Sequence, residues 1–134
     1  MELRRDDLVR AAGNVAGRRA DRLERTQREI RQAQAEALGR TGERLQAILD
    51  ELAALDRRLD QLAGRGRDPA DASLLRAATE AWNRLRDDAV RVRLHLVIQR
   101  EALGLVRQTP VEQCYPVPER RRHPGAAGGG GREP

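Results

Sequence analysis

The sequence predicts an all-α protein: a long antiparallel helical hairpin, coiled-coil-like in its spacing, with a short N-terminal helix and a C-terminal tail that is extended and then disordered. Three observations carry that expectation. Hydrophobic residues are 39% of the 134-residue chain but aromatic residues only 1%, namely Trp82 and Tyr115. Burial must therefore come from Leu, Val, Ile and Ala, the side chains of helix seams rather than of a β-sandwich. The run from Arg18 to Ala63 holds no proline and is dominated by the strong helix formers Arg, Glu, Gln, Ala and Leu. From Leu75 onward, apolar residues recur at steps of three and four for several heptads.

The first element expected is a short amphipathic helix over residues 1–17. Leu3, Leu8, Val9, Ala12 and Val15 have helical spacing, and the loose run AAGNVAG ends it. The first arm of the hairpin follows, Arg18 to Ala63, interrupted only by Gly39 and Gly42, each costing about 1 kcal/mol relative to Ala inside a helix. Its seam reads Leu38, Thr41, Leu45, Ile48, Leu52, Leu55, Leu59, Leu62. Then AGRGRDPAD punctuates the chain, with a loop expected near residues 64–68. Gly64 and Gly66 stop one helix; Asp68 as N-cap, Pro69 at the first helical position and Asp71 in the first turn start the next.

The second arm, Pro69 to Arg107, contains VRVRLHLVIQ, whose alternation also suits a half-buried strand. The series Leu75, Ala78, Trp82, Leu85, Ala89, Val92, Leu96, Gln99, Leu103, Val106 runs through it without a break, and no turn chemistry flanks it, so the helix is preferred. The alternation then marks a second apolar stripe, Val90, Leu94, Val97, Ile98 and Leu105, and a helix apolar on two faces has two neighbours. Folding the chain at the Asp-Pro corner sets Leu59 opposite Leu75, Leu52 opposite Trp82, Leu45 opposite Ala89 and Gln34 opposite Gln99. In the last pair two amides would fix the alignment. Beyond Arg107, Pro110, Pro116 and Pro118 forbid a continuous helix. Gln108 to Pro118 is expected to be extended, and His123 to Pro134, with its glycine run, disordered.

All 26 basic residues are Arg and outnumber 21 acids, for a formal charge of +5 and a pI near 10.9. A chain without Lys or Phe but rich in Ala, Arg and Gly has the stamp of GC-rich coding, which raises Arg without functional demand. The signs are also interleaved, so no single-sign field is present to steer a polyanion. One cysteine, Cys114, excludes an intrachain disulfide and a Cys-based zinc site within one chain. Asp6 and Asp7 stand where a signal peptide needs an apolar run, and no segment has the ~18 apolar residues of a membrane span. A cytoplasmic protein without membrane association is expected.

Catalysis finds little support. His95 has no Ser or Cys at a partnering distance in sequence and reads as a helix-surface histidine. Asp87 and Asp88 point about 100° apart on a helix and have Arg84 and Arg91 a turn away, which makes them exposed ion pairs. His95, His123 and Cys114 have no metal-ligand spacing, and Gly128 to Gly131 lacks the Lys and Ser or Thr of a phosphate loop. No catalytic, cofactor-binding or metal-binding residue is assigned, and no enzyme is expected.

The leading expectation is a non-enzymatic protein–protein interaction module, an adaptor, small chaperone or assembly subunit. Its stripe Val90, Leu94, Val97, Ile98, Leu105 would bind a second copy, as a homodimeric four-helix bundle, or a client helix. The alternative is a nucleic-acid-associated protein contacting phosphates through Arg18, Arg19, Arg22 and Arg25, within the basic segment that ends at Arg28, and through Arg120, Arg121 and Arg122. The tail segment PVEQCYPVPERRR, with Val111, Tyr115 and Val117, is either a linear motif for a partner or a strap over the end of the hairpin.

Overall fold

The computed structural model describes residues 4–65, 68–105 and 109–123, and their regular structure is entirely helical. Helix α1 spans Arg5–Ala63, α2 spans Pro69–Ala102, and α3 is a single turn, Val111–Cys114. Residues 90–98 are helical, so the strand-like alternation is settled in favour of α2. By packing, the chain divides into two units, Met1–Ala37 and Leu38–Pro134.

In the first unit a separate helix over residues 1–17 does not form, because α1 starts at Arg5 and runs on through Gly13 and Gly17. Two glycines cost about 2 kcal/mol together, but strong helix formers surround them, and propagation adds a hydrogen bond for each residue fixed. Asp6 and Asp7 lie in the first turn, where the helix dipole favours them. Residues 4–36 are all exposed.

The second unit holds the core. α1 and α2 pack together around Leu45, Leu52, Leu59, Trp82, Ala89, Val92 and Leu96, with Leu38, Ile48, Leu55, Leu75, Ala78 and Leu85 half-buried against them. Every seam position read from the sequence that falls on described residues is buried or half-buried. A fully buried Leu contributes about 1.5–3 kcal/mol, so this row supplies the main stabilisation of the unit. α1 also continues through Gly39 and Gly42. Asp68 caps α2 by accepting the Ala70 N–H at 3.3 Å, with Pro69 at the first turn, as its sequence indicates.

The far end of α2 differs from expectation. The helix stops at Ala102 rather than near Arg107, because Gly104 turns left-handed (φ 74°). The Leu105 N–H then reaches back to the Arg100 carbonyl at 3.0 Å and the Gly104 N–H to Glu101 at 3.0 Å. This is the glycine-closed helix end. Val106 and Arg107 lie outside the described residues. The tail is also not simply extended: Pro110 opens a turn in which the Tyr115 N–H bonds the Val111 carbonyl at 2.8 Å. Of the segment expected to be disordered, residues 124–134 lie outside those described.

Candidate interaction surfaces

The tail is a strap. Val111 is buried in the core, while Tyr115 and Val117 pack half-buried against it. From there the chain follows one row of α2 side chains. Arg93 Nη1 donates to the Tyr115 carbonyl at 3.3 Å and Arg86 Nε to that of Pro118 at 2.9 Å. Asn83 Nδ2 donates to the Arg121 carbonyl at 2.9 Å, and the Arg121 N–H returns a bond to Asn83 Oδ1 at 2.8 Å. Tail numbers rise as α2 numbers fall, in steps of three or seven, because those residues share one helix face. On its other side the strap meets α1: a Cβ added to Gly42 would lie 3.2 Å from the Tyr115 hydroxyl.

Arg121 locks the strap. Its Nε donates to Asp56 Oδ1 of α1 at 2.9 Å, and its guanidinium lies 5.3 Å from the Trp82 ring centroid, within cation–π range. Asp60 is 3.7 Å away. Arg120 lies 3.7 Å from Asp87. Of the three tail arginines considered for phosphate contact, Arg121 is thus engaged within the fold, Arg120 is in a loose ion pair, and Arg122 is exposed. Arg18, Arg19, Arg22 and Arg25 are all exposed on α1.

The strap divides the second apolar stripe of α2. Val97 packs against the core, and with Leu105, Pro110 and Val111 it lines a small groove between α2 and the strap. Val90 is half-buried. Leu94 and Ile98, one turn apart, stay open at 59% and 54% exposure. Among the residues expected to form one patch, the fold therefore leaves one exposed pair and gives the others partly to the core and the strap.

Asp87 and Asp88 pair with arginines, Asp87 with Arg86 at 3.3 Å and Asp88 with Arg91. His95 is exposed. Among the described residues no group of three or more His, Cys, Asp or Glu is placed to hold a metal, and no helix is long and apolar enough to cross a membrane. Gln34 is exposed, and Gln99 is half-buried with its Oε1 unpartnered among the described residues, as is Trp82 Nε1.

The sequence reading missed Asn83 and the Thr79 beside it. Both are buried, with the Thr79 hydroxyl donating to the Leu75 carbonyl at 2.8 Å. The available signal was the row Thr79, Asn83, Arg86, Val90, Arg93, Val97, which keeps helical spacing next to the seam and mixes backbone-reaching polar groups with valines. Comparison with protein families, with curated proteins and with solved structures finds no match.

Proposed function

We propose that the chain is a non-enzymatic protein–protein interaction module built on an antiparallel, coiled-coil-like hairpin. The antiparallel direction is supported by the strap, which joins Gly42 to Arg93 through Tyr115 and Asp56 to Asn83 through Arg121, so α1 numbers rise as α2 numbers fall. The alternation of large and small residues along the two seams, such as Leu45 with Ala89, supports knobs-into-holes packing.

The observation that carries the interaction reading is the pair Leu94 and Ile98, exposed on a helix whose opposite face is buried. Two large aliphatic side chains a turn apart form the centre of a helix-docking patch, and Val90, Val97 and Leu105 flank it. A second copy or an amphipathic client helix fits this face. The test is Leu94→Glu in the full chain. We expect the variant to keep its helical signal while losing self-association by light scattering or recovery of its partner; unchanged mass together with unchanged recovery counts against the reading.

A nucleic-acid role rests on the exposed cluster Arg18, Arg19, Arg22 and Arg25. Retention on DNA or RNA across a salt series tests it, since phosphate contacts weaken steeply with salt. Absence of binding at low salt ends it. The cytoplasmic setting is part of the same proposal, and a fluorescent fusion in the native cell checks it.

A further inference from the structure

The first unit presents a different surface, on which the interaction-module reading above does not depend. Leu8, Val15, Leu23 and Ile30 are each more than half exposed, Leu23 at 64%. They recur at steps of seven and eight, so at about 100° per residue they form one stripe, with Ala12 between them, Ala33 just beyond Ile30, and Arg19 and Thr26 as its two polar positions. From Leu8 to Ala37 the stripe is about 45 Å long, and a helix laid along it would bury about 1,000 Å² in total, the lower bound for a specific contact.

We propose that this stripe is a self-association surface that takes the same stripe of a second copy running in the opposite direction, with the twofold axis between Arg22 and Leu23. Charge and apolar overlap select this arrangement among the alternatives. A parallel, in-register pair sets Arg19 against the other copy's Arg19 inside the stripe. An antiparallel pair centred on Arg19 does the same and brings Arg18 beside Arg22 of the other copy. Centring on Thr26 and Gln27 gives more opposite charges, Arg22 with Glu29 and Arg18 with Glu36, but sets Val15 and Leu8 against Leu38 and Leu45, which are already taken up by the core. Burying a Leu or Val outweighs an exposed ion pair several-fold, so that register loses.

The register centred between Arg22 and Leu23 keeps every apolar layer. Val15 meets Ile30, Ala12 meets Ala33, and Leu23 meets Leu23. Arg19 falls opposite Thr26, whose hydroxyl can accept a hydrogen bond from the guanidinium, and Arg18 falls beside Glu29. Arg18, Arg22 and Glu29 have no ion pair among the described residues that such a contact would have to break. Arg22 faces its own copy across the axis from the solvent side, where salt screens the repulsion.

Thiol pairing tests the register directly. Cys114 is exposed and is removed as Cys114→Ser in the full chain; Val15→Cys and Ile30→Cys are then made separately and oxidised alone and mixed. The expected result is a mixed disulfide dimer from the two chains together, little from either alone, and a symmetric dimer from Leu23→Cys. Self-linking of Val15→Cys or Ile30→Cys alone overturns the antiparallel register, and no linking in any combination overturns self-association through this stripe. Adding Leu94→Glu leaves the expected linking unchanged, which separates this surface from the α2 patch. By light scattering Leu23→Glu should return the Leu94→Glu protein from twice the chain mass to 15.0 kDa.

Discussion

The two units are written in nearly the same alphabet of Arg, Glu, Ala and Leu, and both are helical, yet one buries almost nothing and the other buries a continuous row. In the second unit the seam residues of α1, Leu52 among them, are buried in one cluster with those of α2, and the strap packs against it. In the first unit Leu8, Val15, Leu23 and Ile30 have the same spacing but lie open. Helix propensity and amphipathic spacing thus decide that a segment is helical and which face is apolar. Whether that face becomes a core depends on a second element arriving at the right register.

The contrast is broken most severely at Trp82, 1% exposed and stacked by Arg121. Trp82→Ala should cost about 3–5 kcal/mol in urea unfolding of the full chain, by transfer and cavity terms together. A loss near that of a surface substitution would mean that the seam is not the seat of stability.

A matched pair sharpens the comparison. Leu52→Ala should cost about 2–5 kcal/mol, whereas Leu23→Ala, at concentrations where the chain is monomeric, should stay within about 0.5 kcal/mol. Equal costs would show that Leu23 is covered in the monomer.

The strap has an intermediate share. Asn83→Ala removes both reciprocal bonds to Arg121 and leaves those backbone groups to find water, for an expected loss of about 1–3 kcal/mol. Faster proteolysis of the tail, with the helical signal kept, is the accompanying readout; tail cleavage at the parent rate would show that the strap does not depend on this clamp.

The smallest effects separate two glycines of α1. A Cβ at Gly39 meets nothing within 4 Å, so Gly39→Ala should stabilise by about 0.5–1 kcal/mol through helix propensity. At Gly42 the same change meets the Tyr115 hydroxyl at 3.2 Å, and a smaller gain or a net loss is expected in thermal melts. Equal gains at both would place Tyr115 off α1 in solution.

How much was legible follows from the range of each interaction. The seam from Leu38 to Leu62 and its counterpart from Leu75 to Leu103 could be read because periodicity is a local property of the chain. The Asp-Pro corner was legible for the same reason, since Asp68 caps its own neighbours. The strap was not: Arg121 meets Asn83 and Asp56 at sequence separations of 38 and 65, and no local pattern announces such a pairing. The stop at Ala102 is not marked by periodicity, because the apolar spacing runs on through Leu103 to Val106 while the left-handed Gly104 ends the helix.

By itself the sequence determined that this protein is helical, where α2 begins and which residues form the seam, because propensity, capping and amphipathic spacing act within a few residues. Tertiary structure alone decided that the proline-containing tail docks on that seam, that Arg121 is held by Asp56 and Trp82, and that only Leu94 and Ile98 of the second stripe stay open. Each of those outcomes depends on groups far apart in the chain being brought within ångströms of one another, and local pattern does not encode that meeting.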